Sequence, residues 1–63
     1  MFRATAVVEV GSDTRTISTG ICDSVRDAVH EVAQLGRDGR IASCEIWMRV
    51  KKTWTRVKSV VMD

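Results

Sequence analysis

The sequence predicts an α+β domain of order β-β-α-β-β: a four-stranded antiparallel sheet with one helix packed on one face. Three observations carry this expectation. Residues 2–10 alternate, with Phe2, Ala4, Ala6, Val8 and Val10 on one face and Arg3, Thr5, Val7 and Glu9 on the other, the period of a half-buried strand. Val25, Ala28, Val29, Val32 and Ala33 recur at the spacing of a buried helical stripe. From Ile41 onward a second β-rich stretch folds back around Lys51-Lys52. The 63 residues, 44% hydrophobic and 29% charged with no proline, read as a single domain, 1–63. A core of this size supports one sheet and one covering helix and leaves no room for a deep cleft.

The first hairpin is expected to turn at Ser12-Asp13, within the turn-forming run Gly11-Ser12-Asp13, with its return strand over Thr14 to Ile21. That places Val8 opposite Ile17, Ala6 opposite Thr19 and Ala4 opposite Ile21, gathering apolar residues on one face. Ser24 is the expected helix N-cap, with Asp27 three residues on, and Asp23 and Asp27 suit the positive end of the helix dipole. Gly36 is expected to stop the helix in the left-handed conformation, and Arg37-Asp38-Gly39-Arg40 to form a loop.

In the second hairpin, a tip at Lys51-Lys52 sets Ile46 opposite Val57, Cys44 opposite Ser59 and Ala42 opposite Val61 on an inner face. The outer face then carries Glu45 opposite Lys58, Trp47 opposite Arg56 and Arg49 opposite Trp54, one charge pair and two cation–π pairs in one register. Lys-Lys is poor chemistry for a two-residue turn, so a four-residue loop from Val50 to Thr53 with the same pairing is the variant. The helix covers one face of this sheet, and nothing else in the sequence is available to cover the other.

The two cysteines, Cys22 and Cys44, are far apart in sequence and read as reduced core thiols of a cytoplasmic protein, a single structural disulfide being the lesser expectation. Glu9 interrupts the one N-terminal apolar stretch, so neither a signal-peptide core nor a membrane span is expected. No metal and no cofactor is expected, since one His and two dispersed Cys do not close a tetrahedral site. No catalytic residue is assigned either. His30 sits on a helix surface without a nucleophile at a supporting spacing, Cys44 is placed in apolar surroundings that raise its pKa, and no glycine-rich loop precedes a helix. The chain is read as a non-enzyme.

Charge is unevenly spread. Segment 46–62 holds Arg49, Lys51, Lys52, Arg56 and Lys58 and no acid, giving +5, while the rest of the chain carries −3, within a net charge of +2. Both tryptophans lie in the basic segment. The candidate partner-binding residues are therefore Trp47, Arg49, Lys51, Lys52, Trp54, Arg56 and Lys58. Trp and Arg are the side chains that dominate protein-binding hot spots, and cations interleaved with flat rings also suit single-stranded nucleic acid. Asp23, Asp27 and Glu31, at i, i+4 and i+8, form a secondary acidic helix face.

The β-β-α-β-β layout, the Ala/Thr-rich first strand and the Asp/Ser-capped Val/Ala helix resemble small phage-encoded proteins that bind and inhibit host machinery. They are also similar in layout to double-stranded-RNA-binding and toxin–antitoxin folds. The former resemblance implies a steric regulator of the kind mobile elements carry. The RNA-binding one would ask for a Lys-rich helix N-terminus, where this chain has Asp23, Ser24 and Asp27. The expectation is thus a small protein-interaction module binding a protein through its open sheet face. Pairing of two copies through that face or through an edge strand is a close variant. Single-stranded nucleic acid binding by the same Trp/Arg/Lys patch is the alternative, and no membrane partner is expected.

Overall fold

The structure, a computed structural model, describes residues 1–60. Five elements follow in order: β1 (Phe2–Val10), β2 (Asp13–Ser18), α1 (Val25–Leu35), β3 (Arg40–Val50) and β4 (Thr53–Val60). The four strands form one sheet in the order β2-β1-β3-β4, every neighbouring pair antiparallel. The α+β class and the element order are those the sequence predicts. The strand order, which the sequence left open, sets β1 beside β3 and so joins the two hairpins through the middle of the sheet.

The first hairpin differs from expectation in register. Ala6 faces Ile17, Val8 faces Arg15 and Val10 faces Asp13, so the tip is Gly11-Ser12. Gly11 adopts φ +62°, a conformation that glycine supplies without steric cost at the first position of a tight hairpin. The offset from the expected pairing is two residues, which keeps every side chain on its expected face. The turn residue, not the hydrophobic pattern, decided between the two.

β2 also ends earlier than expected. At Thr19 the hydroxyl Oγ1 takes the place of a backbone carbonyl, accepting from the Ala4 N–H at 3.0 Å, while the Thr19 N–H donates to the Ala4 carbonyl at 2.9 Å. Thr19 Oγ1 in turn donates to the Gly20 carbonyl at 2.8 Å, and the chain leaves the ladder there. Ile21, expected opposite Ala4, is exposed instead, and Cys22 returns to bridge Phe2 through two backbone hydrogen bonds of 2.8 and 2.7 Å.

The helix forms where its stripe predicts. Ser24 Oγ accepts from the Asp27 N–H at 3.1 Å, as an N-cap should. Gly36 ends the helix, but with φ −99° and not in the left-handed conformation. Its N–H donates to the Val32 carbonyl, and the lack of a side chain lets Val8 and Ile41 pack against the turn.

α1 lies across β1, with its flanks over β3 and β2. Between them sit Ala4, Ala6, Cys22, Ala28, Val32, Cys44 and Ile46, with Phe2, Ile17, Val25, Val29, Ile41 and Val60 around the rim. Small residues on both sides bring the helix close to the sheet. The core is correspondingly modest: its largest fully buried side chains are Ile46, Val8, Val32 and Cys44.

The second hairpin turns at Lys51-Lys52 in two residues, with Val50 opposite Thr53, and Lys51 takes φ +59°. From there Arg49 faces Trp54 and Trp47 faces Arg56, as expected. A β-bulge between Ile46 and Trp47 then shifts the ladder by one, so Lys58 pairs with Ile46, Ser59 with Glu45 and Val60 with Cys44. The expected Ile46–Val57, Cys44–Ser59 and Glu45–Lys58 pairs are corrected accordingly. The physical reason lies in the core: the bulge exposes Val57 but brings Val60 onto Cys44 where Ser59 would have stood. The expected Ala42–Val61 pair, like the side chain of Lys58, lies outside the described residues.

Candidate protein-binding face

The sheet face turned away from α1 is built from the odd-numbered residues of β1 and their cross-strand partners. Two rows organise one end of it. Arg3, Trp47 and Arg56 stand side by side across β1, β3 and β4, and Arg49 and Trp54 form the next row out. Cations and indoles therefore alternate in both directions.

Both indoles are held in place. The Trp47 Nε1–H donates to Thr5 Oγ1 at 2.9 Å, across the β1–β3 boundary. The Arg3 guanidinium lies over the Trp54 ring, 4.6 Å from its centroid, within cation–π range. The expected partners of the tryptophans are their cross-strand neighbours, yet the guanidinium on Trp54 comes from Arg3, two strands away. Arg56 reaches Glu45 instead, at 3.5 Å between exposed side chains. Arg49 approaches the Met1 sulfur at 3.4 Å, and its backbone N–H extends the β1–β3 ladder to the Met1 carbonyl.

Arg3 joins the candidate patch, a position the sequence does not by itself reveal. Its face was legible from the alternation of β1, but its place beside Trp47 required knowing that β1 and β3 are neighbours. It carries one further mark: its Nε is buried and has no hydrogen-bond partner.

Beyond Trp47 and Glu45 the same face drops to small side chains. Thr5, Val7, Thr16, Ser43 and Glu45 rim a shallow hollow of about 210 Å³. The open face thus has a bulky basic end and a low hydroxyl-lined end. Further along, Glu9 and Arg40 pair at 3.1 Å on the surface.

The remaining candidates are dispersed. Lys51 and Lys52 sit exposed at the hairpin tip, past the Trp54 end of the face. Asp23 and Asp27 are exposed at the start of α1. Glu31 does not stand in a solvated ridge with them: its carboxylate accepts from the Gly20 N–H at 3.2 Å and from the Cys22 thiol at 3.2 Å. It clamps the β2–α1 connection onto the helix.

Cys22 and Cys44 are free and buried. Burial pushes the Cys22 thiol above its ordinary pKa, and the Glu31 carboxylate adds to the effect. Burial, then the charge of Glu45, raises Cys44. Both stay protonated at neutral pH and are poor nucleophiles. Among the described residues no three His, Cys, Asp or Glu side chains gather as a metal cluster, and no helix is long and apolar enough to cross a membrane.

Fold and face together define a class: a one-helix, four-stranded α+β domain with an Arg/Trp-lined open sheet face. No family model, curated protein or solved structure matches the chain.

Proposed function

We propose that the protein is a non-enzymatic interaction module that binds a protein partner through its open sheet face. The observation that carries this reading is the locked alternation of indoles and guanidiniums, with Trp47 tied to Thr5 and Trp54 stacked under Arg3. Hot-spot side chains already fixed before contact lose little entropy on binding. Arg3, Arg49 and Arg56 outnumber Glu45 at this end of the face, which suits a partner with an acidic surface. Binding acts by occupation, covering a partner's surface without chemistry, as a steric regulator or inhibitor of the kind mobile elements carry.

Two features favour protein over single-stranded nucleic acid. A base stacking on the covered side of Trp54 would have to displace Arg3, and Arg56 is already engaged by Glu45. The test is affinity capture from lysate with wild type, Trp54→Ala and Arg56→Ala, each checked for folding by circular dichroism. Loss of a specific captured protein in both folded variants is expected. Unchanged capture removes the reading. Tryptophan fluorescence titrated with a single-stranded oligonucleotide at two salt concentrations covers the alternative. Strong quenching at low salt that fades steeply with added salt would assign the face to nucleic acid instead.

A further inference from the structure

We infer that Asp38-Gly39, in the turn between α1 and β3, is a latent isomerisation site. The Asp38 carboxyl closes on the Gly39 nitrogen to give isoaspartate when the turn opens, and Arg15 of β2 holds it back in the folded chain.

The chemistry is intramolecular and needs no partner. The Gly39 nitrogen attacks Asp38 Cγ, a C–N bond forms, and a carboxyl oxygen leaves as water. That water takes its protons from the Gly39 N–H and from the acid form of the carboxyl. Water then reopens the five-membered imide. Cleavage at the Asp38 α-carbonyl leaves the chain running through Cγ, with one extra methylene in the backbone. Nothing is oxidised or reduced, and the water lost in the first step is regained in the second.

The sequence concentrates this chemistry at one place. A side chain on the following residue hinders closure, and Gly39 has none. Asp13, Asp23 and Asp27 precede Thr14, Ser24 and Ala28 instead, and the chain has no asparagine to reach the same imide by loss of ammonia. Asp38 and Gly39 are both exposed, so water reaches them.

The fold restrains both reacting groups. Arg15 Nη2 meets Asp38 Oδ1 at 2.7 Å and donates to the Leu35 carbonyl at 3.5 Å, tying the carboxylate to the end of α1. The Gly39 N–H donates to the Gly36 carbonyl at 3.2 Å, so the attacking nitrogen is engaged as well. Gly39 is also pinned, because the Glu9 carbonyl oxygen and the Val8 and Val10 side chains fill the space a Cβ would take. About half of each side chain in the Arg15–Asp38 pair meets solvent, so its hold is modest. The backbone bond and the packing on β1 supply the rest.

The product does not fit this turn. The extra methylene falls just before Gly39, which has no room on its β1 side, and just ahead of the Glu9–Arg40 pair of the β1–β3 ladder. A chain that isomerises while the turn is open is impaired in closing it again. The site therefore records local opening of the α1–β3 turn.

Peptide mapping tests this. The chain is incubated at neutral pH, folded or in urea, then cleaved after Glu. The fragment 32–45, whose one Asp is Asp38, is followed for a retention shift without a mass change. The chains compared are wild type, Arg15→Ala, Arg15→Lys and Val29→Ala, the last loosening the core at mid-helix, away from the turn. Folded wild type is expected to isomerise about tenfold or more slowly than in urea. Arg15→Ala is expected to raise the folded rate roughly two- to fivefold, the reach of an exposed ion pair, and Arg15→Lys to raise it less. In urea all four rates should agree. A wild type that isomerises as fast folded as in urea overturns the inference, as does a chain that forms no isomer in urea. A folded Arg15→Ala rate equal to that of wild type also overturns it. If Val29→Ala accelerates the reaction as much as Arg15→Ala, global unfolding sets the rate and the role given to Arg15 fails.

Discussion

Arg3→Met separates binding from stability on the open face. Arg3 is half-buried on β1, with its guanidinium 4.6 Å from the Trp54 centroid and its Nε buried without a partner. The stacking contributes about 0.5–1 kcal/mol at a partly exposed site. An unpartnered buried donor costs about 1–3 kcal/mol. Methionine keeps the apolar stem that packs along the sheet while removing both the ring contact and the orphaned donor. It also relieves the repulsion from Arg49 and Arg56 nearby. The donor cost is the larger of the two, so Arg3→Met is expected to leave stability unchanged or raise it, by about 1 kcal/mol at the middle of the two ranges. On a domain this small a gain of that size is a rise of roughly 4–8 °C in Tm. Urea unfolding followed by circular dichroism reads the stability, and partner capture with the same variant reads the function. Capture is expected to fall while stability does not. Destabilisation by more than about 1 kcal/mol would show that Arg3 serves the fold, and the separation argued here would be refuted.

Other consequences can be checked with the same unfolding assay. A Cβ at Gly39 would collide with the Glu9 carbonyl oxygen, whereas one at Gly20 meets only Glu31 at 3.9 Å. Gly39→Ala is therefore expected to cost on the order of 1–3 kcal/mol, and Gly20→Ala far less; the reverse ranking would contradict the packing of the α1–β3 turn on β1. Lys51 holds a positive φ that costs a side-chain-bearing residue about 1–2 kcal/mol. Lys51→Gly, which repeats the geometry of Gly11 in the first hairpin, should thus be neutral to stabilising, and a clear loss would argue against a two-residue turn. The thiols set an alkaline limit. Cys22 and Cys44 have pKa values raised above the ordinary 9.0 by burial, so above that pH the folded chain holds more protons than the unfolded one. Their contribution is complete below pH 9.0 and is lost as pH rises through the folded values. The Cys22→Ala/Cys44→Ala double variant is expected to flatten that alkaline decline, and an equally steep decline in it would place the cause elsewhere.

Side-chain parity was legible from the sequence except past the bulge in β4, and register was only partly so. The alternation over Phe2 to Val10 sorted β1 into its two faces, and the Val/Ala stripe placed the helix between Ser24 and Gly36, both as the structure has them. Pairings near the Lys51-Lys52 tip were legible because arginines and tryptophans lined up there. The bulge at Ile46/Trp47 was not, because it is driven by packing Val60 on Cys44, a contact across the sheet that no local pattern encodes. The Gly11-Ser12 tip was hidden for a related reason: Ser12-Asp13 has turn chemistry of comparable quality, and a two-residue offset leaves the hydrophobic pattern intact. For the candidate site, Trp47, Arg49, Trp54 and Arg56 were readable as one patch from spacing alone. Arg3 and Thr5 were not, since they reach the patch only through the β1–β3 pairing that joins residues some forty positions apart.

The most direct measurement of the open face is acrylamide quenching of its two tryptophans, compared between the free chain and the chain in complex with a captured partner. Trp47 and Trp54 both lie on that face, and the chain contains no other tryptophan. If the face is the binding surface, quenching drops sharply on association and recovers on dilution. An association that leaves both indoles as quenchable as in the dilute chain would place binding elsewhere on the molecule.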